Sequence, residues 1–538
     1  MGDRRSMPLS ARERYYKRRL QRMRRLAVAS VSLAVLICGG LVYPVFAPAS
    51  IIREESQVSS NRETEQPPQQ MTTTPVIPEA TSVVESQTAI PLPTQGRIVP
   101  PSEKSYLLYY TTAGDSLPVV SVHFGVDIKD ITSPQEIDPT GLIPPNQLLI
   151  IPNNLSETSA KTKLLPDSEI TYSPSTVDFD IKAFVDEAGG YLATYRQWLQ
   201  STGWTSGADV IAIVARDYSV NPRLLLAFLE YHSGWVYGTP INAIAKDYPM
   251  GYIDEAKKDL YLQAAWFASN VMEGYYGWRE GRRLVINFPD GQVLRIAPEL
   301  NAGTVGLMNS FSYLYDFSEW ALKLYGEESF LSFFETMFDS PWIRAQSVEP
   351  LIPADTVQPE MILPFEINKI WAFTGGPHAA WSSADVWAAI DFAPSSDQTG
   401  CHESDEWVVA AMSGLVIRSG NGVVVIDQEG DGYEQTGWTL LYLHIATKDR
   451  VPLGTWVEVG DRIGHPSCEG GRSTGTHVHL ARRYNGEWVP ADGPLPFTLS
   501  GWQAKAGVEA YQGWLTRGDE IIYANTASTY ETQLSRND

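Results

Sequence analysis

The sequence predicts a multidomain α+β protein with a single N-terminal transmembrane helix. The chain has 538 residues, of which 43% are hydrophobic and 11% aromatic, and this is enough apolar material for several cores. One uncharged apolar run, residues 26–46, is long enough to cross a bilayer. The middle of the chain has apolar residues at helical spacing, while the C-terminal third consists of short strand-like segments separated by glycines. A polytopic transporter and a wholly disordered chain are therefore excluded.

The N-terminal region indicates a membrane topology. Residues 1–25 hold ten Lys or Arg and only two Asp or Glu. Because an excess of positive charge stays on the cytoplasmic side, we predict a cytoplasmic segment at 1–25 and a transmembrane anchor at 26–47, with the rest of the chain extracytoplasmic. Signal-peptide cleavage near Ala47-Pro48-Ala49 is the alternative.

Charge and cysteine content limit the possible partners and the compartment. The net charge is −22, and beyond residue 25 the chain has 61 acidic against 31 basic residues, which argues against nucleic-acid binding. Cys38 lies in the apolar run, so Cys401 and Cys468 are left in the exported part. In an oxidising compartment this pair predicts a disulfide, and two free buried thiols are the alternative.

The segment 48–104 is predicted to be a disordered linker. It is rich in Pro, Thr, Ser, Gln and Glu and has no aromatic residue. Such a segment cannot bury enough apolar surface to offset the entropy lost on ordering. It would hold the folded domains away from the membrane.

A small module is predicted at 105–153. Tyr106–Tyr110 has strand composition, Gly114-Asp115-Ser116-Leu117 opens a helix, and a second short helix precedes a turn and strand at 143–152. This βααβ order and these turns resemble the lysin motif (LysM). The resemblance implies binding of glycans that contain N-acetylglucosamine, and a degenerate module that acts as a spacer is the alternative.

Residues 181–345 are predicted to be mostly helical. Asn221-Pro222 marks the start of one helix and Gly234 its end. The segment 220–234 resembles the active-site helix of lysozyme-like lytic transglycosylases, in which a general-acid Glu precedes the Ser. Here His232 takes that place, and Glu230 lies about 200° around the helix. The domain is therefore predicted to be lysozyme-like in fold but non-catalytic, since glycosidic cleavage needs a carboxylic acid. An unrelated helical spacer is the alternative.

The C-terminal region is predicted to be a mostly antiparallel β domain. The predicted strands are Trp407–Ala411, Leu415–Ser419, Val423–Asp427, Trp438–His444 and Trp456–Val459. Side chains alternate along a strand, so His477 and His479 share one face, and His444 shares a face with Tyr442. Two imidazoles on one face with a third on a neighbouring strand suit zinc.

The motifs around these histidines resemble one peptidase family. Gly475-Thr476-His477-Val478-His479 resembles the closing motif of the lysostaphin/LytM-type zinc endopeptidases, which cut peptide bonds in bacterial cell walls, and Leu443-His444 matches their middle element. The usual upstream His-x-Gly-x-Asp would put a His at Trp387 and is absent. Gly375-Gly376-Pro377-His378, with Asp391 13 residues after the His, resembles the β-lytic, staphylolysin-like branch. The resemblance covers about 362–525.

The resemblance implies a metal site and two catalytic residues. It assigns His378, Asp391 and His479 as ligands of Zn²⁺. It assigns His444 and His477 to acid–base catalysis and transition-state stabilisation, without deciding which of the two is the base. His402 and His465 are predicted to be surface loop residues rather than ligands. Asp385 is a rival carboxylate within the loop between His378 and Asp391.

Together these predictions describe a membrane-anchored, extracytoplasmic zinc metalloendopeptidase that acts on peptidoglycan. Its expected partners are peptide cross-links, glycan strands and the membrane, with no nucleic acid. A non-catalytic wall-binding scaffold that activates another hydrolase is one alternative. A secreted protease acting on Gly-rich proteins is another. A bifunctional enzyme that also cuts glycans is disfavoured by His232.

Overall fold

The structure, a computed structural model, describes residues 105–155, 157–382 and 386–537. The predicted cytoplasmic segment, membrane anchor and linker lie outside the described residues, as does Asp385. Among the helices that are described, none is both long and apolar enough to span a bilayer.

The small N-terminal module has the predicted order of elements. Strands β1 (Tyr106–Tyr110) and β2 (Leu148–Pro152) pair antiparallel around helix α1 (Leu117–Phe124). The second helix is only a single 3₁₀ turn, Ile128–Asp130. The turn before α1 is fixed by Asp115, whose carboxylate accepts hydrogen bonds from the Thr112 amide and the Tyr109 hydroxyl, both at 2.7 Å.

The module docks onto the helical domain through α1. The His123 ring stacks on Trp278 with ring centroids 3.6 Å apart, and Arg295 donates to the His123 carbonyl at 2.7 Å. A Cβ on Gly114 would collide with the Arg279 guanidinium, so the turn approaches the helical domain closely at a residue that has no side chain. The module is thus held at a fixed position on its neighbour.

The middle domain is helical, as predicted, with two small hairpins. Its helices are α2 (Ile181–Ala188), α3 (Tyr191–Thr194), α4 (Gly207–Asp217), α5 (Pro222–Ser233), α6 (Ala243–Asp247), α7 (Leu260–Arg279), α8 (Ala302–Ser312), α9 (Phe317–Tyr325), α10 (Phe330–Phe338) and α11 (Pro341–Ala345). The hairpins are formed by β3 (Arg196–Leu199) with β4 (Gly203–Ser206), and by β5 (Val285–Asn287) with β6 (Val293–Arg295).

Helix α5 shows why this domain folds as the sequence indicates. The Asn221 side chain accepts from the Arg223 amide at 2.9 Å, Pro222 occupies the first turn, and Gly234 ends the helix in a left-handed conformation at φ 73°. Glu230 is buried, and its carboxylate accepts from the amides of Val236 and Tyr237 at 2.8 and 3.0 Å. This carboxylate holds the chain that follows the helix.

The C-terminal domain is built on a large antiparallel sheet. Its strands are β7 (Ile370–His378), β8 (Ala389–Pro394), β10 (Gly414–Gly420), β11 (Val423–Asp427), β12 (Trp438–Leu443), β13 (Trp456–Val457), β15 (Val478–Tyr484), β16 (Glu487–Trp488) and β21 (Gln533–Ser535). They lie in the order β13-β10-β11-β12-β15-β8-β7-β21, with β16 paired to β15. Smaller sheets contain β9 (Val408–Val409), β14 (Arg462–Gly464), β17 (Thr498–Leu499), β18 (Trp502–Ala506), β19 (Gly513–Arg517) and β20 (Glu520–Tyr523). Strand β21 lies beyond residue 525, where the domain was predicted to end.

The two faces of the large sheet pack against different partners. Residues such as Ile390, Tyr442 and Leu480 point into the core of the C-terminal domain. Their alternating neighbours, among them Leu441 and Ala481, belong to a hydrophobic cluster that continues into the helical domain. The helical domain therefore packs on one face of the large β-sheet, and the core of the C-terminal domain covers the other face.

Buried ion pairs join the helical and C-terminal domains. Arg279 lies 3.1 Å from Asp167 and 3.2 Å from Glu487, and all three are buried or nearly so. Arg483 donates to the Arg216 carbonyl at 3.0 Å. Breaking one partner of a buried pair leaves an uncompensated charge, so these contacts fix how the two domains fit together.

Glu487 should make stability depend on pH. Burial raises its pKa to about 7, although Arg279 lies beside it. Between the ordinary Glu range and about pH 7, the folded chain holds a proton that the unfolded chain has lost, so stability falls as the pH rises through this window. We expect the unfolding free energy of the wild type, relative to Glu487→Gln, to drop by on the order of 2 kcal/mol between about pH 5 and pH 8. Urea unfolding of both proteins across this pH range measures the difference. Unfolding free energies of the two proteins that change in parallel with pH would contradict the prediction.

Candidate metal centre

Strand register brings the first two predicted ligands together. Strands β8 and β15 pair antiparallel with Asp391 directly opposite His479. Opposite residues of an antiparallel pair have their side chains on the same face, so the carboxylate and the imidazole meet. This is the face that packs toward the helical domain.

Glycines allow the third ligand to approach. Strand β7 pairs with β8 through irregularities between Phe373 and Gly375 and between Gly375 and His378. A Cβ on Gly375 would lie 2.5 Å from an Asp391 oxygen, and one on Gly376 would collide with the Gln512 carbonyl. The Gly-Gly pair is therefore needed at this bulge so that β7 can pass the site closely.

The donor atoms of His378, Asp391 and His479 lie within the size of a zinc coordination shell. His378 Nε2 is 3.0 Å from His479 Nδ1 and 3.3 Å from Asp391 Oδ1, and His479 Nδ1 is 3.2 Å from the same oxygen. Tetrahedral bonds of about 2.0–2.1 Å separate two ligands by about 3.3 Å. The three atoms thus form one face of such a tetrahedron. Among the described residues, His378, Asp391 and His479 form a group whose ligand atoms lie close enough together to hold one metal ion.

Hydrogen bonds on the far side of each ring set the tautomers. His378 Nδ1 lies 2.8 Å from the Gly376 carbonyl and His479 Nε2 lies 3.0 Å from the Ala380 carbonyl. A carbonyl can only accept, so these nitrogens carry the hydrogens and the opposite nitrogens present lone pairs. Asp391 Oδ1 is buried and has no hydrogen-bond donor. Three converging lone pairs need a cation, and the donor set fits Zn²⁺.

The charges around Asp391 favour a cation in the same way. Burial opposes ionisation of the carboxyl, yet when no metal is bound a proton on His378 takes the place of the cation, and its charge holds the pKa of Asp391 well below its usual range. Burial also favours a neutral His378 ring, but the Asp391 carboxylate raises the pKa of His378. Burial lowers the pKa of His479. The site is therefore an ionised carboxylate that attracts positive charge.

His444 reaches the site by a different route from the one predicted. Strand β12 ends at Leu443, which pairs with His479, whereas Tyr442 points into the core. By simple alternation His444 would join Tyr442 on the core face, so the prediction that the two share a face was wrong. His444 instead has a left-handed backbone at φ 68°, and its ring lies 4.5 Å from the His477 ring.

The two remaining histidines are held by backbone carbonyls. His444 Nδ1 donates to the Glu469 carbonyl at 2.8 Å, and His477 Nδ1 donates to the Gly475 carbonyl at 2.8 Å. Burial lowers the pKa of His444 to about 4, so this ring is neutral at pH 7 and its Nε2 is a free acceptor. His477 Nε2 lies 3.8 Å from Asp391 Oδ2. All five predicted site residues are thus brought together.

The disulfide prediction is confirmed, and the two other histidines lie outside the metal cluster. Cys401 and Cys468 are bonded. His402 is half-buried, in agreement with a loop position. His465 is buried beneath Trp407, with ring centroids 3.9 Å apart, so its prediction as a surface residue was wrong. Its Nδ1 bonds the Glu406 carbonyl at 2.8 Å, which gives it a structural role.

Tyr511 also lies at the site, although no pattern in the sequence indicates it. Its ring stacks on His378 with centroids 4.1 Å apart, and its carbonyl accepts from the Gly376 amide at 2.9 Å. Tyr511 has a left-handed backbone at φ 69° in the loop between β18 and β19. A lone Tyr more than 100 residues from His378 carries no local signal, because only tertiary packing places it there.

Comparisons with protein-family models agree with this geometry. Residues 387–491 match the model described as peptidase family M23. The C-terminal domain is an M23-family peptidase domain. Residues 163–352 match the model described as the LasA N-terminal domain, which covers the helical domain and begins before residue 181, its predicted start. The family match and the donor set together confirm the predicted zinc cofactor. The LysM-like and lysozyme-like assignments remain predictions.

Individual relatives are distant. Protease LasA of Pseudomonas aeruginosa is 22% identical over 355 residues, which cover 61% of this chain and 75% of the relative. Among solved structures, the chain is similar to the M23 metalloprotease pseudoalterin from the deep sea, with 23% identity, a TM-score of 0.28 and coverage of 34% of this chain and 100% of that one. It is also similar to the catalytic domain of lysostaphin from Staphylococcus simulans, with 21% identity, a TM-score of 0.17 and coverage of 23% and 90%.

Removing the charge of Asp391 should abolish tight metal binding. We expect Asp391→Asn to hold far less zinc than the wild type, which should retain about one ion per chain after dialysis. Mass spectrometry of the metal content measures this. His402→Ala is the matched control and should keep its zinc. Full zinc in Asp391→Asn, or its loss from His402→Ala, would contradict the assignment.

Proposed function

We propose that this chain is a membrane-anchored, extracytoplasmic zinc metalloendopeptidase that hydrolyses peptide bonds in peptidoglycan. One observation carries the proposal. Three lone-pair donors converge on a single point, and two further histidines with carbonyl-bound Nδ1 atoms lie directly beside them. A purely structural metal site has a closed shell and needs no such neighbours.

In this proposal His378 Nε2, Asp391 Oδ1 and His479 Nδ1 hold the metal. Three protein ligands leave the fourth tetrahedral position for water or substrate. When bound, zinc lowers the pKa of a water toward neutrality and polarises the scissile carbonyl. The Gly376 and Ala380 carbonyls keep both ligand rings in the tautomer that the metal needs.

His444 and His477 do the proton transfer and stabilise developing charge. Because the Glu469 carbonyl holds His444 Nδ1–H, the neutral ring presents Nε2 as a base. His477 Nε2 lies 3.8 Å from Asp391 Oδ2, so this ring faces the same open position at the metal. The two share the work of accepting a proton from water and donating to the oxyanion or the leaving amine.

The upstream domains favour a wall substrate. The small module has the order strand, helix, 3₁₀ turn and strand, which supports the LysM resemblance of its sequence, and its His123 stacks on Trp278 of the helical domain. Several weak contacts to glycan strands would raise the effective concentration of peptide cross-links at the catalytic domain. Glu230 is committed to backbone amides, which argues against glycan cleavage.

The proposed location rests on the sequence and one covalent bond. The apolar run 26–46 with its basic flank favours an anchor whose N-terminus is cytoplasmic. The Cys401–Cys468 disulfide favours an oxidising, extracytoplasmic compartment for the rest of the chain.

A digest of purified peptidoglycan by the full chain tests this function. New free amino groups and new reducing ends are counted in parallel, with and without a chelator. We expect new amines that are lost on chelation and restored by zinc, and no new reducing ends. Wall binding without new amines would instead support a non-catalytic scaffold. Cleavage of Gly-rich proteins but not of peptidoglycan would support a protease of that class.

Single substitutions of the two flanking histidines should separate chemistry from metal binding. We expect His444→Ala and His477→Ala each to lower kcat about 10²- to 10⁴-fold while retaining zinc. Ser413→Ala, in a turn that bonds Glu458, is the control and should keep wild-type activity. An unchanged kcat in either histidine variant would remove that residue from the mechanism.

A further inference from the structure

His444 is held in an unfavourable backbone conformation by three neighbouring residues. The left-handed φ of 68° is unfavourable for a residue that has a Cβ, and it persists only where the surrounding structure holds it. Residues 467–469, which we call the clasp, supply the fixing contacts. The Ser467 amide and hydroxyl donate to the His444 carbonyl at 2.7 and 3.0 Å. The Glu469 carbonyl accepts from the His444 ring at 2.8 Å.

The clasp also touches the second histidine. The His477 amide donates to the Ser467 carbonyl at 3.3 Å, so Ser467 bonds the backbones of both residues. The clasp therefore spans the gap between His444 and His477, and its position decides where both rings lie.

A second short segment holds the residue just before His477. Residues 400–402, which we call the brace, make three hydrogen bonds with Thr476. The Gly400 carbonyl accepts from the Thr476 amide at 3.1 Å. The His402 amide donates to the Thr476 hydroxyl at 2.9 Å, and that hydroxyl donates to the His402 carbonyl at 2.7 Å.

The disulfide joins the middle residues of these two segments. Cys468 is the centre of the clasp and Cys401 the centre of the brace. Neither segment belongs to a strand or a helix. The S–S bond closes a loop of contacts that runs from His444 through the clasp and the brace to Thr476 and His477. Loops with few buried contacts open easily, so a covalent bond here has a large effect on local order.

Close backbone packing makes the loop of contacts that the disulfide closes sensitive to small shifts. A Cβ on Gly422 would lie 2.5 Å from the Glu469 carbonyl, so the chain beside His444 passes this group at contact distance. The Glu469 carboxylate gives the clasp one further anchor, since it accepts from the Thr447 amide at 2.8 Å and from its hydroxyl at 2.7 Å.

We propose that the Cys401–Cys468 disulfide positions His444 and His477 for catalysis, so that reducing it impairs turnover without releasing the metal. This inference rests on the proposed peptidase function. The ligands His378, Asp391 and His479 make no hydrogen bond to the clasp or the brace among the contacts described above, which is why metal binding should survive. The bond is reduced when two electrons from a phosphine convert it to two thiols, as water supplies the oxygen of the phosphine oxide and the two protons.

The test compares the oxidised full chain with the double variant Cys401→Ser/Cys468→Ser. We expect kcat to fall about tenfold or more, as when an orienting hydrogen bond is lost, with KM within about twofold and zinc content unchanged. In ¹⁵N spectra of histidine-labelled protein, the His444 Nδ1–H tautomer should give way to a mixture. The same changes should follow treatment of the wild type with a phosphine. Ser413→Ala, treated identically, should respond to the phosphine as the wild type does.

Two milder variants keep the proposal testable if the double variant does not fold. Ser467→Ala removes one bond from the clasp to His444, and Thr476→Val removes two bonds to the brace with little change of shape. Each should lower kcat about threefold to tenfold with zinc retained. Full activity with an unchanged His444 tautomer in the folded double variant, or in both milder variants, would overturn the proposal. An inactive oxidised wild type would refute the peptidase function, while the tautomer measurement would still decide the positioning role.

Discussion

The site depends on the register between two neighbouring strands. Because Asp391 lies opposite His479 in the β8–β15 pair, a carboxylate oxygen and an imidazole lone pair approach to 3.2 Å on one face of the sheet. If either strand slipped by one residue, its ligand would turn into the hydrophobic core on the other face, and the carboxylate and the imidazole would no longer meet. The bulge at Gly375 then adds His378 to complete the cluster. Three buried lone pairs at this spacing repel one another, so this part of the fold is complete only when a cation lies among them.

The same sheet explains why the upstream domain and the catalytic domain form one structure. Its core face is covered by the C-terminal domain itself, and the face that carries the site continues into the core of the helical domain. Arg279 and Glu487 add buried charges to this contact. Residues 163–352, which match the LasA N-terminal domain, and residues 387–491, which match peptidase family M23, therefore pack together in one structure.

Much of this site could be predicted from sequence because its signals are local. The alternation that put His477 and His479 on one face needs only strand geometry, and the caps of α5 at Asn221 and Gly234 need only neighbouring residues. The features that were missed depend on contacts distant in sequence. His444 leaves its strand through a left-handed residue that alternation cannot anticipate, and Tyr511 reaches His378 only through tertiary packing. His465 was expected at the surface because a Gly-His-Pro turn gives no sign that Trp407 covers it.

X-ray absorption at the zinc edge of the purified full chain tests the central claim most directly. We expect two imidazole and two oxygen ligands at about 2.0–2.2 Å from the zinc, with one oxygen from Asp391 and the other from exchangeable water. Adding a small anion should change the spectrum, because the water position is open. A sulfur ligand, a shell of four protein ligands that no anion enters, or a chain that does not retain zinc would contradict it.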